Sequence, residues 1–498
     1  MRAFLPAPLF CIAFLAGCDN VFGPDDDAER TIHVSHTGIV LAPGESMQLM
    51  VIHDPRDETV PREELSGDRW WSDDESVVRV DGDGRLEAVG LGRTTVWLEA
   101  KSERDSARVA VRDPEAEPTQ RWRAVAVGEG HACALTDAGR AYCWGKDSFG
   151  ELGGGTRAWI TRTLAPARVV ADHTFETITA GANHTCALAG DAEAWCWGMI
   201  GLTGSGVEEN ESIPGHYIRA TPERVAMDAP VAQISSTFLH SCLLDENGTA
   251  YCWGNNFYGQ LGLGHYERDT PPHPEPVDTD VRFSEIRPFE LGTCALALDG
   301  AAYCWGNNDG GDAGNEGTAP AYATPQRVVG DHRFRSLART GIFAAPCAIT
   351  EGDATYCWGS LGYGLDHDDE ELVRAPAPLS DDPGFESVFA GGPGGANLVW
   401  CGLLEDGTAL CWGWERHRGI LGTEDVRDTC RDIPCNLTPV PVAGGHRFRD
   451  LSIGPEAACG VTTDGALYCW GRNDRAQLGT GGEEIEGTAI PVRVVDPV

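Results

Sequence analysis

Along residues 31–113, apolar and polar positions alternate with a period of two, in IHVSHTGIVL, SMQLMVI, VVRVD, RLEAVG, TTVWLEA and ARVAVRD. Successive side chains of a strand point to opposite faces, so this pattern predicts about seven short strands with one face on a core. Turn stretches such as APGES and DGDG separate them, which is the layout of an antiparallel sandwich. Beyond residue 121 the pattern changes. In CALTDAGRAYCW (133–144) both the cysteine side and the Tyr/Trp side are apolar. Such strands are expected to be covered on both faces, as in sheets stacked against neighbouring sheets.

That stretch is one of seven. Cysteines ten positions apart recur as Cys133 with Cys143, Cys186 with Cys196, Cys242 with Cys252, Cys294 with Cys304, Cys347 with Cys357, Cys401 with Cys411 and Cys459 with Cys469. Each second cysteine is followed by Trp-Gly, and the step between units stays near fifty residues. A fixed period of this length marks a repeat architecture. Five units open with F-x-x-hydrophobic (FETI, FSEI, FRSL, FESV, FRDL), and each unit continues through C-A-L or a variant and Y-C-W-G or a variant into a Gly-rich loop, best seen in NNFYGQLGLG (255–264). A segment like PARVV (166–170) closes it. Four short strands per unit and seven units predict an all-β chain whose residues 121–498 form a seven-bladed propeller behind an N-terminal β-sandwich. The first strand, RWRAVAV, and the last, PVRVVDPV, are expected to meet in or beside one blade and close the circle.

The cysteine spacing has its own consequence. Cys133 and Cys143 are symmetric about Ala138, so in a hairpin they stand opposite each other, about 4.5–5.5 Å apart and within disulfide range. The same holds for the other six pairs, and Cys430 and Cys435 form a further local pair in CRDIPC. Zinc prefers knuckles of closer spacing. Redox catalysis wants C-x-x-C, which the chain lacks. Reduced thiols suit only a chain that stays in a reducing compartment.

GEGHACALTDAGRAYCWG, GANHTCALAGDAEAWCWG and NNFYGQLGLG resemble the repeats of the regulator of chromosome condensation family, which implies a seven-bladed propeller. The histidine of its GxxHxCAL motif stands at His131, His184 and His240, and is replaced by Gly292, Ala345, Val399 and Ala457. Residues 31–113 resemble the bacterial Ig-like domain of group 2, a module of surface proteins, with 114–120 as a linker. At the N-terminus a short apolar run ends in Leu15-Ala16-Gly17-Cys18. This is similar to a lipoprotein signal, with residues 1–17 removed, Cys18 lipidated and 18–30 an acidic tether. The expected location is the bacterial cell envelope, on the outer membrane or cell surface, with the inner membrane as the other option.

Composition narrows the partners. A formal charge of −38 repels phosphate backbones, so no nucleic-acid partner is expected. The run is too short to span a bilayer, which leaves membrane attachment through the lipid alone. No nucleophile elbow, HExxH, P-loop or dinucleotide turn occurs. No catalytic residue, metal site or cofactor is therefore assigned, and DHDDEE (366–371) reads as a solvated charge run before a calcium loop. Trp414, Arg416, His417 and Arg418 in one loop, with Phe257 and Tyr258 in an equivalent one, are the candidate contacts to a protein or glycan partner. The expectation is a monomeric, non-enzymatic binding or scaffold protein. The alternatives are guanine-nucleotide exchange, which the repeat family implies, propeller-type enzyme inhibition, and a glycosidase or lyase working in the channel.

Overall fold

The computed structural model describes residues 32–53, 69–100, 103–113, 116, 118–155, 162–206, 218–266, 271–340, 345–359, 373–379, 382–392, 398–415, 419–430, 432–482 and 485–498. The signal, the lipidation position Cys18 and the acidic tether lie outside these residues.

Seven antiparallel sheets follow one another along residues 122–493. Blade 1 is Trp122–Val127, His131–Thr136, Ala141–Lys146 and Arg162–Arg168. Blade 2 begins at Phe175–Ala180, blade 3 at Val231–Ser236, blade 4 at Phe283–Phe289 and blade 5 at Phe334–Leu337. Blade 6 has Ser387–Gly391 as its first core strand, and blade 7 runs from Phe448–Ile453 to Gly487–Arg493. The second strand of every fully regular blade is buried at each position, as in His131–Thr136 and Ala457–Thr462. This is the two-sided apolar pattern of the sequence.

The first strands of neighbouring blades touch one another and surround a central channel of about 950 Å³. They are not paired as a sheet, so side chains bridge them. Gln233 Oε1 accepts from Ile286 N (3.1 Å), Glu285 Oε2 from Leu337 N (2.9 Å) and Asp450 Oδ2 from Val125 N (3.0 Å). Arginines on the first strands supply a second clasp. Arg123 donates to the Phe175 carbonyl, Arg335 to Phe385 O (3.0 Å) and Arg449 to Trp122 O, each reaching the next blade.

The ring closes beside blade 1 and not within it. The first and last strands belong to different sheets. The seam between blades 7 and 1 uses Asp450 and Arg449, together with Ser452 Oγ accepting from Val127 N (2.9 Å).

Blade 5 and blade 6 depart from the repeat. Arg339–Thr340 leaves blade 5 and pairs in parallel with Phe389–Ala390 of blade 6. Asp428–Cys430 adds an outer strand to the same sheet, which becomes six-stranded.

The Ig-like segment forms a four-stranded sheet facing a three-stranded one, with a further two-stranded ribbon. Its core of Val34, Ile39, Leu86, Val96 and Val109 continues into Leu164 and Ala476 of the propeller. His36–Thr37 pairs in parallel with Arg162–Thr163 as a fifth strand of blade 1. Arg112 donates to the carbonyls of Asp496 (3.0 Å) and Pro497 (2.7 Å). The Asp496 carboxylate accepts from Thr119 N (3.0 Å) and Gln120 N (2.8 Å). At its C-terminal end the segment read as a linker is thus tied to the end of the chain.

Candidate functional site

Most of the repeated signature is consumed by architecture. All seven hairpin pairs form disulfides: Cys133 with Cys143, Cys186 with Cys196, Cys242 with Cys252, Cys294 with Cys304, Cys347 with Cys357, Cys401 with Cys411 and Cys459 with Cys469. Their Cα–Cα distances are 4.0–4.1 Å. Cys430 with Cys435 forms an eighth. In the seven hairpins the separation is shorter than the 4.5–5.5 Å expected from sequence. In every hairpin the two cysteines are direct partners in the strand register. The cysteines are therefore staples of single hairpins and not a partner-binding or metal-binding set. The signature tryptophans are buried, and five of the seven donate Nε1–H backwards across the blade interface, Trp305 being an exception. Trp144 reaches Gln477 O, Trp197 Glu151 O, Trp253 Leu202 O, Trp358 Asp312 O and Trp470 Ile420 O, at 2.8–3.1 Å. The following glycine has positive φ, +96° at Gly145, where a Cβ would stand 2.5 Å from Gly130 O.

The three histidines form a relay between blades 1 and 4. His131 Nε2 lies 3.0 Å from Thr185 Oγ1, whose own hydrogen goes to Glu151 O (2.9 Å). His240 Nε2 lies 3.0 Å from Thr293 Oγ1, which donates to Gln260 O (2.8 Å). His184 Nε2 lies 2.8 Å from Ser241 Oγ, which donates to Ser236 Oγ. A hydroxyl whose proton is committed must accept, so each imidazole carries its proton on Nε2. Nδ1 is buried with no partner among the described residues. Protonating it would bury a charge and an unmet donor, and burial pushes all three down to about 3. In blade 4 the histidine becomes Gly292, and the Phe289 ring fills the space.

What is left over for recognition is the loop face, built from the turns after the first strands and the loops after the third. The blade 3 loop is held from within. Gln260 Oε1 accepts from Tyr258 N (2.8 Å) and its amide donates to Asn255 Oδ1 (2.9 Å). Asn256 Oδ1 accepts from Leu261 N (3.1 Å), and Gly259 turns at φ +74°. This frame pushes Phe257 and Tyr258 outward, 47% and 38% exposed, with Tyr266 at 51% beside them. Tyr266 anchors by donating to Ala321 O (3.1 Å) of blade 4.

Blade 1 repeats the frame with charges. Glu151 stands in the place of Gln260 and Lys146 in that of Asn255. Their N···O distance is 3.6 Å, and Lys146 also donates to Asn183 Oδ1 (2.8 Å). Burial raises the Glu151 carboxyl, against the lowering by Lys146.

One expected contact moves out of the surface. Trp414 is 3% exposed and packs against Cys430, Cys435 and Ile433, so it anchors the CRDIPC hairpin and does not face a partner. Arg416, His417, Arg418 and DHDDEE lie outside the described residues. Sequence reading missed the channel wall. Its signal was present: Arg287 occupies a repeat position filled elsewhere by Ala126, Thr179, Ser235, Ala338, Phe389 and Ser452.

Family comparison decides the repeat. Residues 122–151, 231–260 and 448–477, and in a second description 138–188, 247–287 and 464–498, match the regulator of chromosome condensation repeat. The chain carries regulator of chromosome condensation repeats. Residues 30–111 match the bacterial Ig-like domain of group 2. The ultraviolet-B receptor UVR8 of Arabidopsis thaliana is 27% identical over 383 residues, 73% of this chain and 80% of that protein. The human E3 ubiquitin-protein ligase HERC2 is 28% identical over 337 residues, 64% of this chain and 6% of that protein. Among solved structures, human WBSCR16 superposes with a TM-score of 0.59 at 21% identity, covering 72% of this chain and 94% of that one. Saccharomyces cerevisiae Prp20p gives 0.60 at 22%, covering 72% and 87%. These likenesses show the propeller fold.

Proposed function

We propose that this repeat protein is a binding protein of the cell envelope, held by a lipid on Cys18, which presents its loop face to a protein or glycan partner. The observation that carries the reading is the Phe257–Tyr258–Tyr266 patch. Three large aromatics stand exposed on a loop frozen by its own side-chain hydrogen bonds. Aromatic side chains on a preorganised frame contribute contact area with little further ordering cost. The eight disulfides fit an oxidising compartment outside the cytoplasm. The activity is binding and not turnover, since the titratable groups repeated by the fold serve blade interfaces.

The test is capture from envelope extract and culture supernatant with the oxidised soluble chain, residues 19–498. A partner retained by the native bait and lost by the Phe257→Ala/Tyr258→Ala bait supports the reading. A partner held equally by both baits refutes it. Prp20p is described by its binding to Gsp1p and histones. Capture of a nucleotide-free GTPase here would transfer the reading to nucleotide exchange, and capture of a soluble enzyme to inhibition.

A further inference from the structure

We propose that the central channel is a second binding site, on the face opposite the aromatic patch, and that its ligand is an acidic sugar. The channel opens among the turns between second and third strands, where Glu246, Asn247 and Leu298 stand at the mouth. Its volume of about 950 Å³ lies in the range of small-molecule sites.

The wall carries five arginines and five acids; Arg123, Arg335 and Arg449 are engaged on backbone carbonyls, which leaves Arg287 and Arg339 to set the chemistry. Arg287 of blade 4 binds Glu285 Oε1 through Nε (2.9 Å) and Nη2 (2.8 Å). Arg339, on the segment that crosses from blade 5 to blade 6, binds Asp450 Oδ1 through Nη1 (2.6 Å) and lies 5.6 Å from the Phe389 ring centroid. Both carboxylates are shared with the fold. The other oxygen of Glu285 accepts from Leu337 N, and that of Asp450 from Val125 N. Neither acid can offer its arginine the two-oxygen fork that would use up the guanidinium. Among the described residues the remaining N–H groups of Arg287 and Arg339 have no protein acceptor. Arg287 is mostly enclosed, 22% exposed in its side chain, so its open donors look into the lumen and not into bulk water. A carboxylate is the group whose geometry matches two guanidiniums in reach of one space.

The rest of the wall fits hydroxyl groups. Thr177, Thr179, Ser235 and Ser452 line the same lumen, together with the small Ala126 and Ala180. Short hydroxyl side chains over a small-residue wall suit the many hydroxyls of a sugar and leave it room. The overall charge of −38 does not forbid this, since at physiological salt outer charges are screened beyond about 8 Å. Recognition is then a contact effect with little long-range steering.

The experiment is isothermal titration of the oxidised chain with glucuronate, glucose, inorganic phosphate and N-acetylaspartate. Saturable binding of glucuronate is expected, at least tenfold tighter than glucose and than either non-sugar anion. Arg287→Gln and Arg339→Gln should each lose tenfold or more. Because both arginines also hold acids that clasp neighbouring blades, Thr177→Glu is the deciding variant. Thr177 is exposed on the channel wall, and a carboxylate there opposes the ligand without removing a clasp. It should abolish glucuronate binding at unchanged thermal stability. No glucuronate binding, equal binding of glucose, preference for phosphate or N-acetylaspartate, or full binding by Thr177→Glu would each overturn the proposal. The aromatic patch is not involved, so Phe257→Ala/Tyr258→Ala should bind glucuronate as the native chain does.

Discussion

Acid should weaken this propeller through its three relay histidines. Each imidazole is buried neutral, and burial lowers it to about 3 from an ordinary value of 6.5. The unfolded chain takes up a proton near the ordinary value, while the folded chain does not. The relay's contribution is therefore complete above about pH 7 and is lost as pH falls from about 6.5 toward 3, with a slope of about 1.4 kcal/mol per pH unit for each histidine. Between pH 7 and pH 5 that amounts to about 2 kcal/mol each, or about 6 kcal/mol for the three. Buried acids act in the opposite sense, and burial raises Glu151, Glu415 and Asp450. Glu290 is raised to about 7 by burial and by Asp312, so its protonation stabilises the fold as pH falls from about 7 toward the ordinary carboxylate range. The comparison must remove that background. His131→Val/His184→Val/His240→Val keeps Glu290 and places at three blades the residue that blade 6 already carries at Val399. The hydroxyls of Thr185 and Thr293 keep their carbonyl acceptors in this variant. Guanidinium unfolding followed by tryptophan fluorescence at pH 7.5, 6 and 5 should show the native chain losing stability faster than the variant. The difference should narrow by several kcal/mol over that range. Parallel curves for the two proteins would refute the buried-neutral assignment.

Three further outcomes are expected. Replacing Cys133 and Cys143 together by alanine should cost about 3 kcal/mol, the loop-entropy value for a bridge of this span, read by chemical denaturation against the native chain. Gly145→Ala should cost about 2 kcal/mol or more, since φ is +96° and the new Cβ meets Gly130 O. Gly154→Ala, where nothing lies within 4 Å, should be near neutral in the same thermal scan. Arg112→Ala removes two charge-assisted bonds to the C-terminal carbonyls and should cost about 2 kcal/mol. It should appear as a separate low-temperature transition in calorimetry and as cleavage within 113–120 by limited proteolysis.

The fold was legible because its determinants are local and repeated. A cysteine pair symmetric about a turn, a Trp-Gly after it and a period near fifty residues each report on one hairpin, and seven copies leave little freedom. The rim was half legible. Phe257 and Tyr258 stand in a loop whose Asn and Gln caps are visible in NNFYGQLG, whereas Trp414 looked equivalent and is buried by a hairpin peculiar to blade 6. The channel was not legible. Arg287 and Arg339 come from different blades, and Arg339 reaches the axis only because its segment pairs with the next sheet. The Ig-like segment shows the same limit. Its strands were readable, but Asp496 in the last residues of the chain holds Thr119 and Gln120, a contact between positions that no local pattern relates.

Closure of the ring and docking of the Ig-like segment are one problem with one solution. A propeller that shares a strand between its ends closes by backbone pairing. Here no strand is shared, and Asp450, Ser452 and Arg449 clasp the seam as side chains clasp the other interfaces. Such clasps contribute only about 1–3 kcal/mol each, and the interface that joins the two chain ends gains nothing from connectivity. The Ig-like segment supplies what is missing. It lays a strand on blade 1, shares its core with Leu164 of blade 1 and Ala476 of blade 7, and is held by residues 496 and 497 beyond the last strand. The Ig-like module therefore fastens both ends of the ring at once. The loop face and the channel are held in register by a domain that grips the ring at the loop after the third strand of blade 7, through Ala476 and Gly481.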